Sequence, residues 1–320
     1  MAILTVENLT TSLGTGRGQV DIVRDVSFEV QPGQILGVVG ESGSGKSMMA
    51  YSLIDLLDRH ISITGGKVLF HGQDITRLPA NAKRDLRGNR IAMIFQDPMV
   101  ALNPVLTIGE QMIEAILAHR RMSRAAARDH AIATLARVGI PSPESRMASY
   151  PHEFSGGMRQ RVVIAIAFLN QPELIIADEA TTALDVTIQS QIIAEIQGLA
   201  EEAGAAILWI THDLSLLSGF ADAVMVMYAG QVVEIGPAAR IFAAPRHPYT
   251  AALMEAVPTL GSTRLVNLEG VPPSLSALPP GCAFQPRCAR AQSCCGTERP
   301  PVSGTTADGW RCFYPLEGRA

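Results

Sequence analysis

The stretch QILGVVGESGSGKSMMAYSLIDLL, residues 34–57, decides the fold of this chain. Its centre, GESGSGKS, fits the pattern G-x-x-x-x-G-K-[ST], and it follows an apolar strand and opens a helix, as this phosphate-binding pattern requires. Backbone N–H groups of such a loop and the helix N-terminus together form a concave anion site. A chance Lys-Ser pair in a glycine turn would not account for the two flanks. We expect phosphate to be bound by Gly40, Ser42, Gly43, Ser44, Gly45, Lys46 and Ser47, with the Ser47 hydroxyl also binding Mg²⁺.

Composition places further bounds on the chain. Its 320 residues are 47% hydrophobic, which permits one large domain plus an appendage. With 26 basic and 30 acidic residues the formal net charge is −4, so no global positive field indicates a nucleic-acid partner. The start, MAILTVENLT, does not have the pattern of a secretory signal. Apolar stretches such as Val162–Leu169 are far shorter than the roughly 18–20 residues of a spanning helix, so we expect membrane association only through partners.

Runs rich in Val and Ile, bounded by Gly, Pro or Asp, predict strands. These lie at residues 20–30, 34–39, 67–71, 91–95, 174–177, 206–210 and 223–228. Residues 106–138 have helical spacing instead and predict a mostly helical insert. Strands that alternate with helices predict an α/β fold with a parallel sheet covered on both faces. We expect an antiparallel β portion on its N-terminal side.

Two acids follow the apolar strand in LIIADE, residues 174–179. Asp178, at the end of the strand, can hold Mg²⁺ through water, and Glu179 can polarise a water that attacks a terminal phosphate. The alternative is a solvated acidic strand end. The phosphate loop earlier in the chain makes that alternative weak.

The segments GESGSGKS, FQDP, FSGGMRQR, LIIADEATTALD and ITHD follow one another in the order of the ATPase cassette of ABC transporters. The chain resembles that family over about residues 1–255. The resemblance implies a P-loop ABC ATPase core that binds ATP and Mg²⁺. It also implies that Gln96 contacts the metal and the attacking water, and that His212 bonds the γ-phosphate and steadies Glu179.

The segment FSGG resembles the LSGGQ signature of the family, with Phe154 for Leu and Met158 for Gln. A hydroxyl and two glycines at a helix N-terminus suit a phosphate. In the family this element reaches the ATP that the opposite cassette holds, and Asp185 matches a loop that crosses the dimer interface. The resemblance therefore implies that four further residues contact the nucleotide held by the partner cassette: Ser155, Gly156, Gly157 and Asp185.

The chain departs from the family pattern at two further places. Ala180 stands where a proline commonly follows the catalytic Glu. No aromatic residue lies near Leu13, where the family usually stacks a ring on adenine. We expect apolar contact from Leu13 or Ile22 in its place.

The segments MIFQDPMVALNPVLTIGEQ and DEATTALDVTIQSQI, followed by RHPYTAALMEAVP and a Cys-rich tail, resemble the peptide and nickel importer branch of the family. They are most similar to the first of its two paired ATPases. The resemblance implies import of di- or oligopeptides, with nickel, glutathione or a modified peptide as alternatives. It implies as partners a second, paralogous ATPase, two transmembrane permease subunits and an extracytoplasmic solute-binding protein. The chain would then lie peripherally on the cytoplasmic face of the inner membrane.

Two rival functions have their own sequence signatures. A soluble ABC ATPase acting on ribosomes would usually carry two cassettes, and one acting in DNA repair would carry a long coiled coil. This chain has one cassette, and its insert lacks sustained heptads. A regulatory module that does not hydrolyse ATP is the other rival, and the presence of Glu179 and His212 argues against it.

All five cysteines lie in the last 39 residues, which marks a separate module. Without an export signal, metal ligation is more plausible for them than disulfides. Four follow the spacing Cys282-x5-Cys288-x6-Cys295-x16-Cys312. The similar tail of the family implies a 4Fe-4S cluster on these four, with Cys294 spare, and zinc-bound or free thiols are the alternative.

We predict an ATPase domain at 1–256, with a helical subdomain at about 97–160, and a Pro-rich linker with a Cys-rich extension at 257–320.

Overall fold

A computed structural model of the chain describes residues 1–16, 18–181, 185–256 and 268–317. The strands are β1 Leu4–Thr15, β2 Gly18–Val30, β3 Ile35–Val39, β4 Ile61–Phe70, β5 Gln73–Asp74, β6 Ile91–Ile94, β7 Leu174–Asp178, β8 Ala206–Thr211, β9 Ala223–Tyr228, β10 Gln231–Pro237, β11 Ser303–Gly304 and β12 Gly309–Trp310. The helices are α1 Lys46–Leu53, α2 Ala80–Leu86, α3 Pro98–Ala101, α4 Ile108–Leu117, α5 Arg124–Arg137, α6 Pro143–Arg146, α7 Gly156–Phe168, α8 Val186–Ala203, α9 Leu214–Leu217, α10 Ala238–Ala243, α11 Pro248–Glu255 and α12 Ser293–Thr297. Short 3-10 helices lie at Pro151–Glu153 and Gln285–Arg287.

The chain divides into two compact units. The first unit comprises Met1–Gln31, Ile35–Arg77 and Ile210–Ala320, and the second comprises Pro32–Gln34 and Leu78–Trp209. The Cys-rich extension thus belongs to the same unit as the phosphate loop. The start of the predicted extension, residues 257–267, lies outside the described residues. Residues 182–184, within the segment LIIADEATTALD, lie outside them as well. The domain boundary after residue 256 stays a prediction.

The first unit contains an antiparallel sheet with the strand order β2-β1-β4-β5. Leu4 lies opposite Val30 and Val6 opposite Phe28, and these four side chains are buried. This sheet is the predicted antiparallel portion. The sequence patterns missed β1 because register shifts between Val6 and Leu9 break its alternation of apolar and polar residues.

A second sheet segment of the first unit has the order β11-β12-β10-β9-β3. Strands β3 and β9 are parallel, with Leu36 opposite Ala223 and Val39 opposite Val226. All six residues of β9 are buried, as expected for a strand covered on both faces. The patterns missed β10 because Glu234 interrupts its apolar run. That carboxylate is fully buried and accepts the backbone N–H groups of Arg246 and His247.

The second unit contains β6, β7 and the first four residues of β8, in the strand order β8-β7-β6, with β6 and β7 parallel. Its helices α4 and α5 confirm the predicted helical insert. A capping box begins α4: the Thr107 hydroxyl accepts the Glu110 N–H at 3.2 Å, and the Glu110 carboxylate accepts the Thr107 N–H at 3.0 Å. The Ser123 hydroxyl caps α5 by accepting the Ala126 N–H, without a reciprocal side-chain bond. The capping residues Thr107 and Ser123 therefore mark where the two helices of the insert begin.

A comparison of two glycines tests the packing of the antiparallel sheet. Gly66, with φ +81°, lies so close to β1 that an added Cβ would be 2.4 Å from the carbonyl oxygens of Glu7 and Asn8. Gly72 has a similar φ of +76° but no atom within 4 Å of an added Cβ. We expect Gly72→Ala to lower the free energy of unfolding by roughly 1–2 kcal/mol, the cost of the left-handed backbone, and Gly66→Ala by at least about twice as much. Urea unfolding measures both. Equal losses would show that β1 does not crowd Gly66.

Candidate functional site

The phosphate loop connects β3 to α1 in the first unit, and two of its glycines are required by packing. A Cβ on Gly40 would lie 2.2 Å from the carbonyl oxygen of Met227 and 2.8 Å from the Ser44 hydroxyl. Gly45 has φ +96°, and a Cβ there would lie 2.9 Å from the carbonyl oxygen of Ile22. Only glycine allows the backbone to approach so closely. Two loop glycines therefore determine how the loop sits on β2 and β9.

Lys46, the first residue of α1, is 5% exposed and folds along the loop. Its Nζ donates to the carbonyl oxygens of Gly40 at 2.7 Å and Glu41 at 3.1 Å, and lies 3.4 Å from the Ser44 hydroxyl. The loop tip, Ser42 and Gly43, is exposed. The ammonium group therefore lies beneath a loop whose tip faces solvent. Ser47, the next residue of α1, is half-buried.

The acidic pair lies at the end of β7 in the second unit. Asp178 is fully buried as the last residue of the strand. Glu179 follows with φ +48°, a backbone region that non-glycine residues rarely adopt. Gln96 Nε2 donates to Glu179 Oε2 at 3.0 Å. The two side chains meet because β6 and β7 are parallel neighbours, so their carboxyl ends lie at the same edge of the sheet.

The segment Ser155–Gly157 begins α7 in the second unit. The Ser155 hydroxyl accepts the Met158 N–H at 3.3 Å and so caps the helix. A Cβ on Gly156 would meet no atom within 4 Å, and one on Gly157 would make an ordinary 3.5 Å contact with Ile188. In contrast to the phosphate loop, packing does not require glycine here. The two glycines leave an exposed helix start open.

The remaining predicted nucleotide residues lie at element ends or edges. His212 is exposed and directly follows β8, and Asp185 is exposed and directly precedes α8. Leu13 is half-exposed and lies opposite Val20 on the β1–β2 pair. Ile22 is half-buried on β2, and its carbonyl oxygen is the one that adjoins Gly45.

The cysteine module, residues 281–317 of the first unit, contains a small cavity. Four of its cysteines line this cavity: Cys282, Cys288, Cys295 and Cys312. Burial, together with the other three thiols, raises the pKa of Cys312 to about 11. The sulfur of Cys294 instead lies 3.3 Å from the Tyr314 hydroxyl. The fold therefore brings four cysteines to one cavity and directs the fifth elsewhere.

The spacing of these side chains does not match a site for one metal ion. Among the residues that the structure describes, no group of three or more His, Cys, Asp or Glu side chains could hold such an ion. The 4Fe-4S cluster is therefore not confirmed. Cluster ligands bind different iron atoms and lie farther apart than the ligands of one ion, so four thiols around a cavity still fit such a group.

The sequence patterns missed the side chains that hold the phosphate loop from the C-terminal side. Tyr249, fully buried on α11, accepts the Glu41 N–H through its hydroxyl at 2.9 Å. Arg287 forms an ion pair with the Glu41 carboxylate. The only sequence signal for Tyr249 was the RHPY stretch. That stretch indicated the branch of the family and not this contact.

In the described part of the chain, no helix is long and apolar enough to span a membrane. Among solved structures, the fold is similar to the dimeric ATP-binding cassette MJ0796 bound to ADP and Pi, with a TM-score of 0.66 and 26% sequence identity. That match covers 73% of this chain and 98% of the cassette. The fold is thus the α/β fold of a P-loop ABC ATPase, as predicted.

Curated proteins of similar sequence cover nearly the whole chain. The oligopeptide transport ATP-binding protein OppD of Escherichia coli K12 is 47% identical over 320 residues, 99% of this chain and 94% of OppD. The dipeptide transport ATP-binding protein DppD of Bacillus subtilis 168 is 47% identical over 296 residues, 92% of this chain and 88% of DppD.

Two family models match separate parts of the chain. The model described as ABC transporter matches residues 23–182. The model described as oligopeptide/dipeptide transporter, C-terminal region, matches residues 233–295. The chain therefore belongs to the ABC transporter family, in its oligopeptide and dipeptide branch.

Proposed function

We propose that this chain binds and hydrolyses ATP, and that the reaction energises import of di- or oligopeptides through partner permeases. The observation that carries the proposal is the union, in one chain, of an ABC ATPase core with the C-terminal region of oligopeptide and dipeptide transporters. The relatives OppD and DppD, which are named for oligopeptide and dipeptide transport, support it. Nickel, glutathione or a modified peptide remains the alternative substrate.

We assign phosphate binding to the loop at Gly40–Ser47. Its backbone N–H groups and the start of α1 supply partial positive charge, and Lys46 supplies a full charge for the terminal phosphates. The Ser47 hydroxyl and Asp178 hold Mg²⁺, which neutralises charge on the phosphate oxygens. The carbonyl oxygens that accept from Lys46 hold its ammonium group at the loop.

We assign the hydrolytic step to Glu179. Its carboxylate polarises a water toward the γ-phosphate, and Gln96, which donates to that carboxylate, orients the carboxylate and contacts the metal and the water. His212 bonds the γ-phosphate and steadies Glu179. The positive φ of Glu179 supports a functional role, because strained backbone of this kind is common at active sites.

We propose further that two cassettes close head to tail over two ATP molecules. Ser155, Gly156 and Gly157 would then bind the nucleotide of the partner cassette, with Asp185 at the interface. The unfilled space at Gly156 supports this role, because packing within the chain gives no reason for glycine there. The partner is a paralogous ATPase, and the complex includes two permeases and an extracytoplasmic solute-binding protein. Leu13 or Ile22 contacts adenine.

The complex would place the chain peripherally on the cytoplasmic face of the inner membrane. We propose also that Cys282, Cys288, Cys295 and Cys312 hold a 4Fe-4S cluster. When bound, the cluster cross-links a loop-rich segment that has few regular elements of its own. The shared cavity supports this set of four.

Substitution of Glu179 tests the hydrolytic assignment. We expect Glu179→Gln to lower ATP turnover at least about a hundredfold, because the amide cannot accept a proton from water, while ATP binding is kept. Phosphate release and equilibrium nucleotide binding measure the two effects. Glu201→Gln, an exposed site on α8, is the control and should behave as wild type. Full turnover in Glu179→Gln would contradict the assignment.

Peptide uptake tests the transport function. In cells that lack the native gene, we expect the wild-type chain to restore uptake of a labelled dipeptide and Glu179→Gln to fail. Uptake of labelled nickel or glutathione is measured in parallel. Restored nickel or glutathione uptake without peptide uptake would replace the proposed substrate, and a chain without effect on any uptake would count against transport.

Substitutions of the neighbouring residues Cys294 and Cys295 test the proposed cluster. We expect Cys295→Ser to lose most of the bound iron and to lower the unfolding midpoint, because Cys295 lines the shared cavity. Cys294→Ser is the matched control and should keep its iron, since Cys294 contacts Tyr314 instead. Iron and acid-labile sulfide are measured after anaerobic purification. Zinc in place of iron, or equal behaviour of the two variants, would contradict the cluster.

A further inference from the structure

An arginine of the cysteine module reaches the phosphate loop. Arg287, directly before Cys288, forms a two-pronged pair with Glu41, the second residue of the loop. Its Nη1 lies 2.7 Å from Glu41 Oε2 and its Nη2 lies 3.0 Å from Oε1. The Arg287 side chain is 3% exposed and that of Glu41 is 26% exposed. Two parallel bonds between planar groups fix orientation as well as distance, and they are stronger than bonds between neutral groups.

A buried aromatic cluster fixes the position of this pair. The rings of Tyr228 and Tyr249 lie 4.6 Å apart, and the ring of Phe284 lies 5.3 Å from each. Arg287 donates to the Tyr228 hydroxyl at 3.3 Å. The Tyr249 hydroxyl accepts the backbone N–H of Glu41. Glu41 is thus held by its side chain and its backbone from the same cluster.

Glu41 is also bound from within the loop. Its carbonyl oxygen accepts the Ser44 N–H at 3.1 Å and the Lys46 ammonium at 3.1 Å. A shift of Glu41 would therefore move the acceptor that positions Lys46. Pairing with Arg287 also offsets a carboxylate charge that would repel phosphates bound at the same loop.

We propose that Arg287 is a positioning residue for the phosphate loop, through which the folded cysteine module raises the affinity of the loop for ATP. Arg287 acts through Glu41. The inference rests on the proposed ATP-binding function. It assigns a role to the cysteine module. The fold of the module influences the shape and charge of a loop whose Glu41 lies 246 positions before Arg287.

A second arginine of the module provides a matched control. Arg311 directly precedes Cys312, as Arg287 precedes Cys288. Its Nη2 donates to Asp25 Oδ2 at 2.6 Å and to the Asp25 carbonyl oxygen at 3.0 Å. This pair also joins the module to the rest of the first unit, but it ends on β2 and not on the phosphate loop. Loss of either pair loosens the module, and only loss of the Arg287 pair releases Glu41.

The test compares Arg287→Met with Arg311→Met in the full chain purified anaerobically. For Arg287→Met we expect about a tenfold higher dissociation constant for a non-hydrolysable ATP analogue, because the Glu41 carboxylate is no longer held and its unpaired charge repels the phosphates. The KM for ATP should rise similarly, with kcat changed less than about twofold. Arg311→Met should keep the wild-type dissociation constant. Iron content and the unfolding midpoint report loosening of the module in both variants.

Two further variants separate the effect of the geometry of the Arg287–Glu41 pair from the effect of its charge. In Arg287→Lys the charge stays but the two-pronged geometry is lost, so we expect a dissociation constant between those of wild type and Arg287→Met. Adding Glu41→Gln to Arg287→Met removes the unpaired carboxylate and should recover part of the affinity. If Arg287→Met does not fold, Arg287→Lys alone supplies the comparison with Arg311→Met.

The possible outcomes are distinguishable. Weaker binding in the Arg287 variants alone supports the inference. Wild-type affinity in Arg287→Met, or equal weakening in Arg311→Met, overturns it and leaves the ATP-binding function intact. A wild-type chain that binds no ATP analogue overturns the proposed function itself.

Discussion

The phosphate loop approaches strand β9 more closely than any residue with a Cβ would permit. A side chain at Gly40 would overlap the carbonyl oxygen of Met227, and one at Gly45 would crowd that of Ile22. The loop can adopt this position because β3, which feeds it, pairs in parallel with the fully buried β9. The hydrophobic burial of two short strands thus places the proposed anion site at their carboxyl end. The same placement sets the position of α1, which begins at Lys46 directly after the loop.

Gly40 and Gly45 differ from Gly156 in what surrounds the position of an added Cβ. Gly40 and Gly45 are required by close backbone contacts, so the fold itself demands them. The glycine at Gly156 has open space around its missing side chain. A position that packing does not explain suits a surface that a ligand or partner must approach. Close packing thus accounts for Gly40 and Gly45, and the open space at Gly156 agrees with its proposed role at a partner's nucleotide.

The two units carry different residues of the proposed site. In the second unit, the parallel pairing of β6 and β7 brings Gln96 to Glu179, whose backbone has a positive φ of +48°. In the first unit, the phosphate loop is held on one side by the sheet and on the other by Tyr249 and Arg287. The cysteine module is therefore packed in the same compact unit as the phosphate loop and is not a detached appendage.

The sequence by itself determined the features that are written in contiguous residues. The phosphate loop, the acidic pair after β7, the caps of α4 and α5 and the cluster of cysteines each depend on residue type and spacing within a short segment. The tertiary structure decided what depends on distant segments. It showed β1 despite its bulges, the contact of Tyr249 with the Glu41 backbone and the pairing of Glu41 with Arg287. No local pattern encodes such contacts, because they form only when packing brings remote parts of the chain together.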